Sequence, residues 1–551
     1  MQNIQKLKVI IVGAGEVGMN VAVKLSHHEK VDVTLIEFDE DRAALMKTSV
    51  NCLTIKGSGL NAELLIDAGI EDCDLFYALT DADEVNLLAC QLAETMIKRS
   101  FSKKDAAEQE QALSKGLEST DLDFFQPCAP LGEGQRKRFI PSMSESGQLF
   151  LYARVRDEIL YDHLQELFPH INVIFPERTC SRKIDELLYY RQAFDVVELE
   201  SGRLKLYGVK IHPKSSAVGQ TLLGFTADQK ITIAAIARRV SGSLGHSRQL
   251  MIPSADYRME ANDEIYFAAT PKLLSQLHHH FTAQGESEHP SSVVIAGDSS
   301  VALDVFQRSV NRSSRRRVEL ELRELDVEDR EESLELTKRN LALVISDPIL
   351  AERAEKSDPN GHATVVNGEI TDIANLAEVG VGPRTTLLVS SSDEENLICA
   401  LLARELGCDR ILIVNNREQY AELINKLGFD GIFSPRQLTV NEMVHQTLKR
   451  LAKSAFEVSG TEDFEVRSFV IDKESPLCGK ALKDLKSVGF PREYAVIAAM
   501  RDPETQTHIM PTGENVLSEG AVVYIVSQTT DFHKIDALFG KRRSRFRLWR
   551  S

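Results

Sequence analysis

Residues 9–18, Val9-Ile10-Ile11-Val12-Gly13-Ala14-Gly15-Glu16-Val17-Gly18, decide the fold of the front half of the chain. The apolar run at 9–12 predicts a fully buried strand, and the periodic apolar positions from 17 to 25 predict a helix. The glycines between them follow the G-x-G-x-x-G pattern, which permits a tight turn, close approach of the backbone to a pyrophosphate, and close helix–strand packing. N–H groups at the N-terminus of such a helix are available to phosphate oxygens. The predicted phosphate-binding residues are Gly13, Ala14, Gly15, Glu16, Val17 and Gly18.

A second predicted strand, 33–36, ends at Glu37, where a carboxylate is placed to accept hydrogen bonds from ribose hydroxyls. An acid at this position disfavours a ribose 2′-phosphate, so NAD(H) is expected rather than NADP(H). A lone glycine pattern would be weak evidence, but the preceding strand, the following helix and the acid together predict a dinucleotide-binding Rossmann-type domain. The alternative interpretation is a Rossmann-shaped core that binds nothing.

The composition describes a globular protein of several domains. The chain has 551 residues, of which 43% are hydrophobic and 27% charged, with a formal net charge of −17. This acidic balance argues against general nucleic-acid binding, which needs a basic surface. No apolar run approaches the roughly 18 residues of a membrane span, and the first residues lack a signal-peptide pattern. The eight cysteines are scattered without a C-x-x-C pair, so buried thiols of a reducing cytoplasm are expected.

The chain contains a tandem repeat of a two-part unit. In each copy a predicted strand is followed by a matching acidic-and-amide motif and a helix: Asp83, Glu84 and Asn86 in the first, Asp393, Glu394 and Asn396 in the second. Each Rossmann-like half precedes a smaller module of short predicted strands separated by turn signals, which indicates an α+β domain. The predicted fold class is therefore α/β, with two Rossmann-like domains at 1–180 and 290–450 and two small domains at 195–282 and 457–540.

Differences in spacing between the copies locate the predicted insertions. The first copy contains an insert at about 98–148, rich in polar residues, which is expected to be largely disordered or loosely helical. The second copy is expanded around 312–335, and the polar segment 283–290 is expected to be a hinge. The final segment, 541–551, is a basic tail that carries the only Trp of the chain.

This arrangement resembles the Trk-type potassium-uptake regulators of the TrkA family, in which two RCK (or KTN) N-terminal domains are each followed by an RCK C-terminal domain. The resemblance covers nearly the whole chain except the insert and the tail. It is carried by both small C-terminal modules and by Gly13-x-Gly15-x-x-Gly18, Glu37, Gly57-Ser58-Gly59, Thr80-x-x-Asp83-Glu84-x-Asn86 and Ala153-Arg154-Val155-Arg156.

The resemblance implies a cytoplasmic regulatory subunit, peripheral on the inner face of the cell membrane and without enzymatic activity. It implies a homo-oligomer, commonly a tetrameric ring, that gates an integral-membrane potassium transporter of the TrkH or TrkG type. NAD(H), or alternatively ATP or ADP, would bind the Rossmann-like halves and change the shape of the ring. The rival interpretations are an NAD-dependent oxidoreductase, for which no acid–base constellation stands out, and an RCK-type regulator of another cation transporter or channel.

Further candidate ligand-binding residues lie at the predicted strand ends. Thr80 and Asp83 follow a parallel strand, where ligands bind in such folds, although both can equally serve the turn before the next helix. Arg154 or Arg156 is expected to reach a phosphate, and the alternative for each is a surface ion pair. Gly57 and Ser58 are expected to line the adenine side of the cleft.

The second Rossmann-like half departs from the pattern, because Gly297-Asp298-Ser299 keeps only the first glycine. Ser299 adds a side chain where a pyrophosphate would approach, and Asp298 adds a negative charge. We therefore expect nucleotide binding in the first half and an impaired or structural second half. No metal site is expected at the histidine cluster 278–280, and the basic tail is either a contact for anionic lipid or transporter or a solvated extension.

Overall fold

The protein is represented by a computed structural model. It describes residues 6–28, 30–114, 149–188, 193–200, 204–229, 231–242, 245–282, 292–322, 340–451, 455–457, 464–505, 507–528 and 531–539.

The front of the chain forms a six-stranded parallel sheet with the strand order β3-β2-β1-β4-β5-β6. The last four residues of the first strand, Val9–Val12, are buried, as a strand covered on both faces requires. The elements are β1 (Leu7–Val12), α1 (Glu16–Ser26), β2 (Val31–Glu37), α2 (Glu40–Ser49), β3 (Leu53–Lys56), α3 (Ala62–Asp67), β4 (Leu75–Ala78), α4 (Asp83–Ser114), β5 (Phe150–Arg154), α5 (Glu158–Leu167), β6 (Ile171–Ile174) and α6 (Pro176–Leu187).

The next segment forms a five-stranded antiparallel sheet with the order β10-β9-β11-β8-β7. Its elements are β7 (Ala193–Glu200), β8 (Leu204–Lys210), α7 (Leu222–Gln229), β9 (Ile233–Gly242), β10 (Gly245–Met251), β11 (Glu264–Ala269) and α8 (Pro271–Phe281).

The second half repeats both sheets. The order β14-β13-β12-β15-β16-β17 is that of the first sheet, and β18-β19-β22-β20-β21 is again five-stranded and antiparallel. Its elements are β12 (Ser292–Ala296), α9 (Ser300–Leu322), β13 (Asn340–Ile345), α10 (Pro348–Ser357), β14 (Ala363–Asn367), α11 (Ile373–Glu378), β15 (Thr385–Val389), α12 (Asp393–Glu405), β16 (Arg410–Val414), α13 (Glu418–Leu427), β17 (Gly431–Phe433), α14 (Pro435–Leu451), β18 (Ala455–Glu457), β19 (Phe464–Val470), β20 (Ala495–Arg501), β21 (His508–Ile509), β22 (Val522–Gln528) and α15 (Phe532–Asp536).

The chain divides into two compact units, and each includes a helical segment that follows the Rossmann-like sheet of the other. The first unit holds residues 1–176 together with 439–447 of α14, and the second holds 177–438 and 448–551. In the first unit, the Tyr77 hydroxyl donates to the Met443 carbonyl oxygen at 3.0 Å and lies 2.7 Å from the Thr447 hydroxyl. In the second unit, α6 packs through Cys180 and Ile184 into the same core as Phe306 of α9. A helix that follows one Rossmann-like sheet thus packs with the other half of the repeat.

The two small sheets share a core within the second unit. Leu206 and Tyr266 of the first small sheet pack in one buried cluster with Val466 and Tyr524 of the second. The Thr232 hydroxyl also donates to the Pro511 carbonyl oxygen at 3.1 Å. Since each antiparallel sheet has a face to bury, this pairing removes both apolar faces from water.

The structure corrects one predicted boundary and leaves other segments outside its description. The helix predicted to follow the motif of Asp83, Glu84 and Asn86 begins within that motif, at Asp83, and continues to Ser114, into the predicted insert. The remainder of that insert (115–148), the hinge segment 283–290, most of the expansion at 312–335 and the tail 541–551 lie outside the described residues. Of the helices that are described, none is long and apolar enough to cross a membrane.

Candidate functional site

The glycine turn lies at the carboxyl end of β1, and two of its three glycines are required by packing. Gly13 has φ +98°, and a Cβ there would meet the Thr80 backbone nitrogen at 3.0 Å. A Cβ on Gly18 would lie 1.9 Å from the Gly13 carbonyl oxygen, so α1 can approach the turn only because Gly18 has no side chain. Val17, the residue before Gly18, is buried.

Gly15, by contrast, faces open space. The nearest heavy atom to a Cβ built there is Asp81 Oδ2, at 4.0 Å. Gly15 is also the N-cap residue of α1 and contributes no side-chain cap. An uncapped helix N-terminus with space above its first turn is the geometry that a phosphate group needs. The absence of a side chain at Gly15 is therefore not explained by packing within the first unit and is compatible with an anionic ligand.

Glu37 lies at the carboxyl end of β2, beside the glycine turn. The side chain is only 6% exposed, and its carboxylate accepts hydrogen bonds from the backbone N–H groups of Ala14 and Asp39, the latter at 2.8 Å. These bonds fix the carboxylate at the position predicted for a ribose-binding acid. Each carboxylate oxygen can accept more than one bond, so both keep capacity for ribose hydroxyls.

The neighbouring strand β3 ends at the Gly57-Ser58 turn. β2 and β3 pair in parallel with Glu37 opposite Lys56, so this turn follows the strand position beside Glu37. Gly57 has φ +154°, and the Ser58 hydroxyl accepts from the Leu60 N–H at 3.2 Å. The turn therefore borders the cleft on the predicted adenine side.

The Thr80 backbone and hydroxyl are engaged by Asn86, a fully buried residue of α4. Asn86 Oδ1 accepts from the Thr80 N–H at 2.8 Å, and its Nδ2 donates to the carbonyl oxygens of Thr80 and Arg154 at 3.0 and 2.8 Å. Asn86 thus links the ends of β4 and β5. In the second half, Asn396 makes the corresponding bonds to Ser391 and Val414.

Asp83 also makes bonds within the fold. Its carboxylate accepts from the backbone N–H groups of Arg156 and Asp157 at 2.9–3.0 Å. Asp393 accepts from the Asn416 N–H at 2.7 Å in the second half. Because the same contact is present in both copies, the structure explains Asp83 as the residue that holds the β5–α5 loop against the start of α4.

The predicted arginines converge on one carboxylate that the sequence analysis did not select. Arg154 is 8% exposed, and its Nη1 lies 3.2 Å from Asp81 Oδ1. Arg156 is more exposed, and its Nη1 lies 3.9 Å from the same oxygen. The buried Nε of Arg154 has no hydrogen-bond partner among the described residues. A guanidinium N–H without a partner is suited to donate to a phosphate oxygen.

The residues present therefore fit a dinucleotide. Gly15 has room above it and gives α1 no side-chain cap, Glu37 is held by backbone amides at the position predicted for a ribose-binding acid, and the Nε of Arg154 can still donate. The main residue that sequence analysis missed is Asp81. It stands directly after Thr80 at a strand end, which is a signal for the site, but its pairing with Arg154 is visible only in three dimensions.

At the equivalent turn of the second half, two side chains bond to neighbouring backbone amides. The Asp298 carboxylate accepts from the N–H groups of Ser346 and Asp347 at 2.7 and 3.0 Å. The Ser299 hydroxyl accepts from the Ala302 N–H at 3.1 Å and so caps α9, where Gly15 leaves α1 uncapped. The strand-end position that corresponds to Glu37 is the buried Ile345.

The cysteines of the described residues are unpaired thiols. Burial raises the pKa of Cys73 to about 12 and that of Cys408 to about 11, so both are protonated at neutral pH. No group of three or more His, Cys, Asp or Glu side chains in the described part of the chain is arranged to hold a metal ion.

Comparison with known protein families identifies the repeated domains. The TrkA-N domain matches residues 9–117 and 332–435, and the TrkA-C domain matches 466–540. The chain is 25% identical to the Trk system potassium uptake protein TrkA homolog 1 of Methanosarcina mazei, over 97% of this chain and 100% of that protein. Proteins named Trk system potassium uptake protein TrkA from Azorhizobium caulinodans and Haemophilus influenzae are 23% and 24% identical, each over 97% of this chain and 98% of their own length.

The solved structure of the GsuK channel shares the fold. It superposes with a TM-score of 0.51 at 14% identity, over 98% of this chain and 80% of that one.

Proposed function

Because the chain belongs to the TrkA family, with TrkA-N and TrkA-C domains, we propose that it is a regulatory subunit of a potassium-uptake system and not an enzyme. This proposal is supported by the match to TrkA proteins over nearly the full length of this chain and of those proteins. We propose further that the partner is an integral-membrane potassium transporter of the TrkH or TrkG type, and that the chain acts on its cytoplasmic side as a tetrameric ring.

The ligand that we propose is an adenine nucleotide, NAD(H) in the first place and ATP or ADP as the alternatives. The observation that carries this proposal is the open approach to Gly15 above the uncapped α1, bordered by Glu37 and by Arg154, whose Nε has no hydrogen-bond partner among the described residues. In the second half Asp298 accepts from the Ser346 amide and Ser299 caps α9, so we assign nucleotide binding to the first half.

The nucleotide would act by shifting the population between two shapes of the assembly. A ligand can move such an equilibrium only by as much as its affinities for the two shapes differ. The residues best placed to make that difference are Glu37 and Arg154, because they come from β2 and β5, on opposite sides of the glycine turn. A ligand that contacts both would fix the spacing of the strand ends.

The experiment is potassium uptake in cells that lack this gene, complemented with variant genes. Gly15→Asp places a carboxylate where the phosphate would lie, and we expect loss of nucleotide binding and of regulated uptake. The matched control is Gly513→Asp, the same substitution at an exposed glycine where a Cβ would meet only Lys483 Cβ at 3.5 Å. Normal uptake with Gly15→Asp, in a protein that no longer binds nucleotide, would reject the regulatory role of the ligand.

A further inference from the structure

Asp81 places a negative charge at the proposed phosphate site. Its Oδ2 lies 4.0 Å from the position of a Cβ on Gly15, and its Oδ1 pairs with Arg154 at 3.2 Å. The side chain is 69% exposed, so it is neither part of the core nor fixed by packing. A carboxylate so close to an uncapped helix N-terminus both occupies the guanidinium that a phosphate would use and repels that phosphate.

The size of this repulsion depends on the phosphate. The two phosphates of a dinucleotide such as NAD are diesters and carry about one negative charge each. A terminal phosphate monoester, as in ADP or ATP, carries roughly −1.5 to −2 at neutral pH. Since Coulomb energy scales with the product of the charges, the carboxylate penalises a terminal phosphate more than a diester.

We infer that Asp81 is a specificity-determining residue, which favours a dinucleotide over nucleoside di- and triphosphates by charge. The inference rests on the proposed nucleotide site and adds the class of ligand that this site prefers. Arg154 has the opposite effect on affinity, because a phosphate of either kind that reaches its buried Nε gains a hydrogen bond to a donor that has no other partner among the described residues. The balance of the two residues, and not the glycine turn, then sets the choice between ligands.

The test is titration of the full-length protein with NAD, ADP and ATP by calorimetry. Asp81→Asn keeps the shape and removes the charge, and we expect it to tighten ATP about tenfold and NAD about twofold or less. ADP should tighten about as much as ATP, because its terminal phosphate carries the same charge. Because the carboxylate is exposed, added salt should reduce the ratio of NAD affinity to ATP affinity in the unaltered protein. The same ratio in the Asp81→Asn variant should depend less on salt.

The control is Asp72→Asn, which removes the same charge from an exposed pair, Asp72 with Lys8 at 3.3 Å, near the amino end of β1. It should leave all three affinities unchanged. If the unaltered protein binds none of the nucleotides, the proposed function fails. If the protein binds them but Asp81→Asn changes NAD and ATP by the same factor, or neither, the site stands and the role of Asp81 is rejected.

Discussion

Gly15 and Gly18 belong to one sequence pattern, yet they are required for different physical reasons. A Cβ at Gly18 would collide with the Gly13 carbonyl oxygen at 1.9 Å, a backbone atom that cannot rotate away. A Cβ at Gly15 has room, with only Asp81 Oδ2 at 4.0 Å. The pattern in the sequence therefore combines a packing requirement at Gly18 with a glycine at 15 that packing does not require.

This difference predicts opposite results for two alanine variants. Gly18→Ala should lower the free energy of unfolding by about 1–3 kcal/mol, because α1 must move away from the turn. Gly15→Ala should leave stability nearly unchanged but remove the rise in melting temperature that nucleotide gives the unaltered protein. Differential scanning fluorimetry with and without NAD measures both effects. A Gly15→Ala protein that is still stabilised by NAD to the full extent would contradict this account of the open approach.

At this scale the sequence predicted the position of a residue where that position follows from local spacing. Glu37 stands at a fixed distance from the glycines, and the structure places it where the spacing implied, between the Ala14 and Asp39 amides. Asp81 could not be selected in this way, because its partner Arg154 lies 73 residues further along the chain. Asp83 and Asn86 were recognised as a motif, but only their contacts show that they hold the strand ends together.

At the scale of elements, the docking of α14 in the first unit depends on a small buried polar network. Tyr77 is fully buried, and its hydroxyl contacts the Met443 carbonyl oxygen and the Thr447 hydroxyl. Thr447 also donates to the Met443 carbonyl oxygen at 2.9 Å. Such a network holds a helix in one position, because each buried polar group that loses its partner costs free energy.

Tyr77→Phe should therefore loosen this helical segment selectively. We expect hydrogen exchange of the amides at 439–447 to accelerate about tenfold, which corresponds to the loss of about 1.4 kcal/mol of local stability. Helix α13, at 418–427, serves as the internal control and should exchange unchanged. The double variant Tyr77→Phe/Thr447→Val should lower the local stability by less than the sum of the two single effects, because each single change removes the same contact between the two hydroxyls. Additive losses of local stability would show that the two hydroxyls do not form a shared network.

The strands of both Rossmann-like sheets were predictable because buried parallel strands consist of continuous apolar runs, as in β1 and β12. The sequence did not predict that α6 packs in the second unit, or that residues 439–447 of α14 pack in the first. An amphipathic helix specifies that one face must be buried, but it does not specify which sheet buries it. The extension of α4 to Ser114 was missed for a related reason, since its polar second half lacks the apolar periodicity that signals a packed helix.

At the scale of the whole molecule, the two halves have the same contacts between strand ends and differ in the residues at the glycine turn. Asn86 and Asn396 link strand ends in the same way, as do Asp83 and Asp393 with the loop that follows the next strand. These contacts preserve the sheet whether or not a ligand binds. Selection on the fold alone is enough to explain them, so they are poor indicators of where a nucleotide lies.

The cleft residues, by contrast, predict how many nucleotides each chain binds. In the second half a nucleotide would have to displace the Asp298 carboxylate from the Ser346 and Asp347 amides and the Ser299 hydroxyl from the Ala302 amide. Each of these charge-assisted or capping bonds contributes about 1 kcal/mol or more to the closed arrangement. The ligand would gain no carboxylate at the ribose position, because Ile345 stands there.

Calorimetry should accordingly give one high-affinity nucleotide site per chain, and Gly15→Asp should abolish it. Asp298→Ala combined with Ser299→Gly opens the second cleft but still leaves Ile345 in place of an acid, so this variant should bind at the second site only weakly. Adding Ile345→Glu supplies the missing ribose acceptor and should raise that affinity further, provided that the variant remains folded by circular dichroism. Two equivalent high-affinity sites in the unaltered protein would mean that the side chains of Asp298 and Ser299 yield to the ligand, and the asymmetry between the halves would then have no part in regulation.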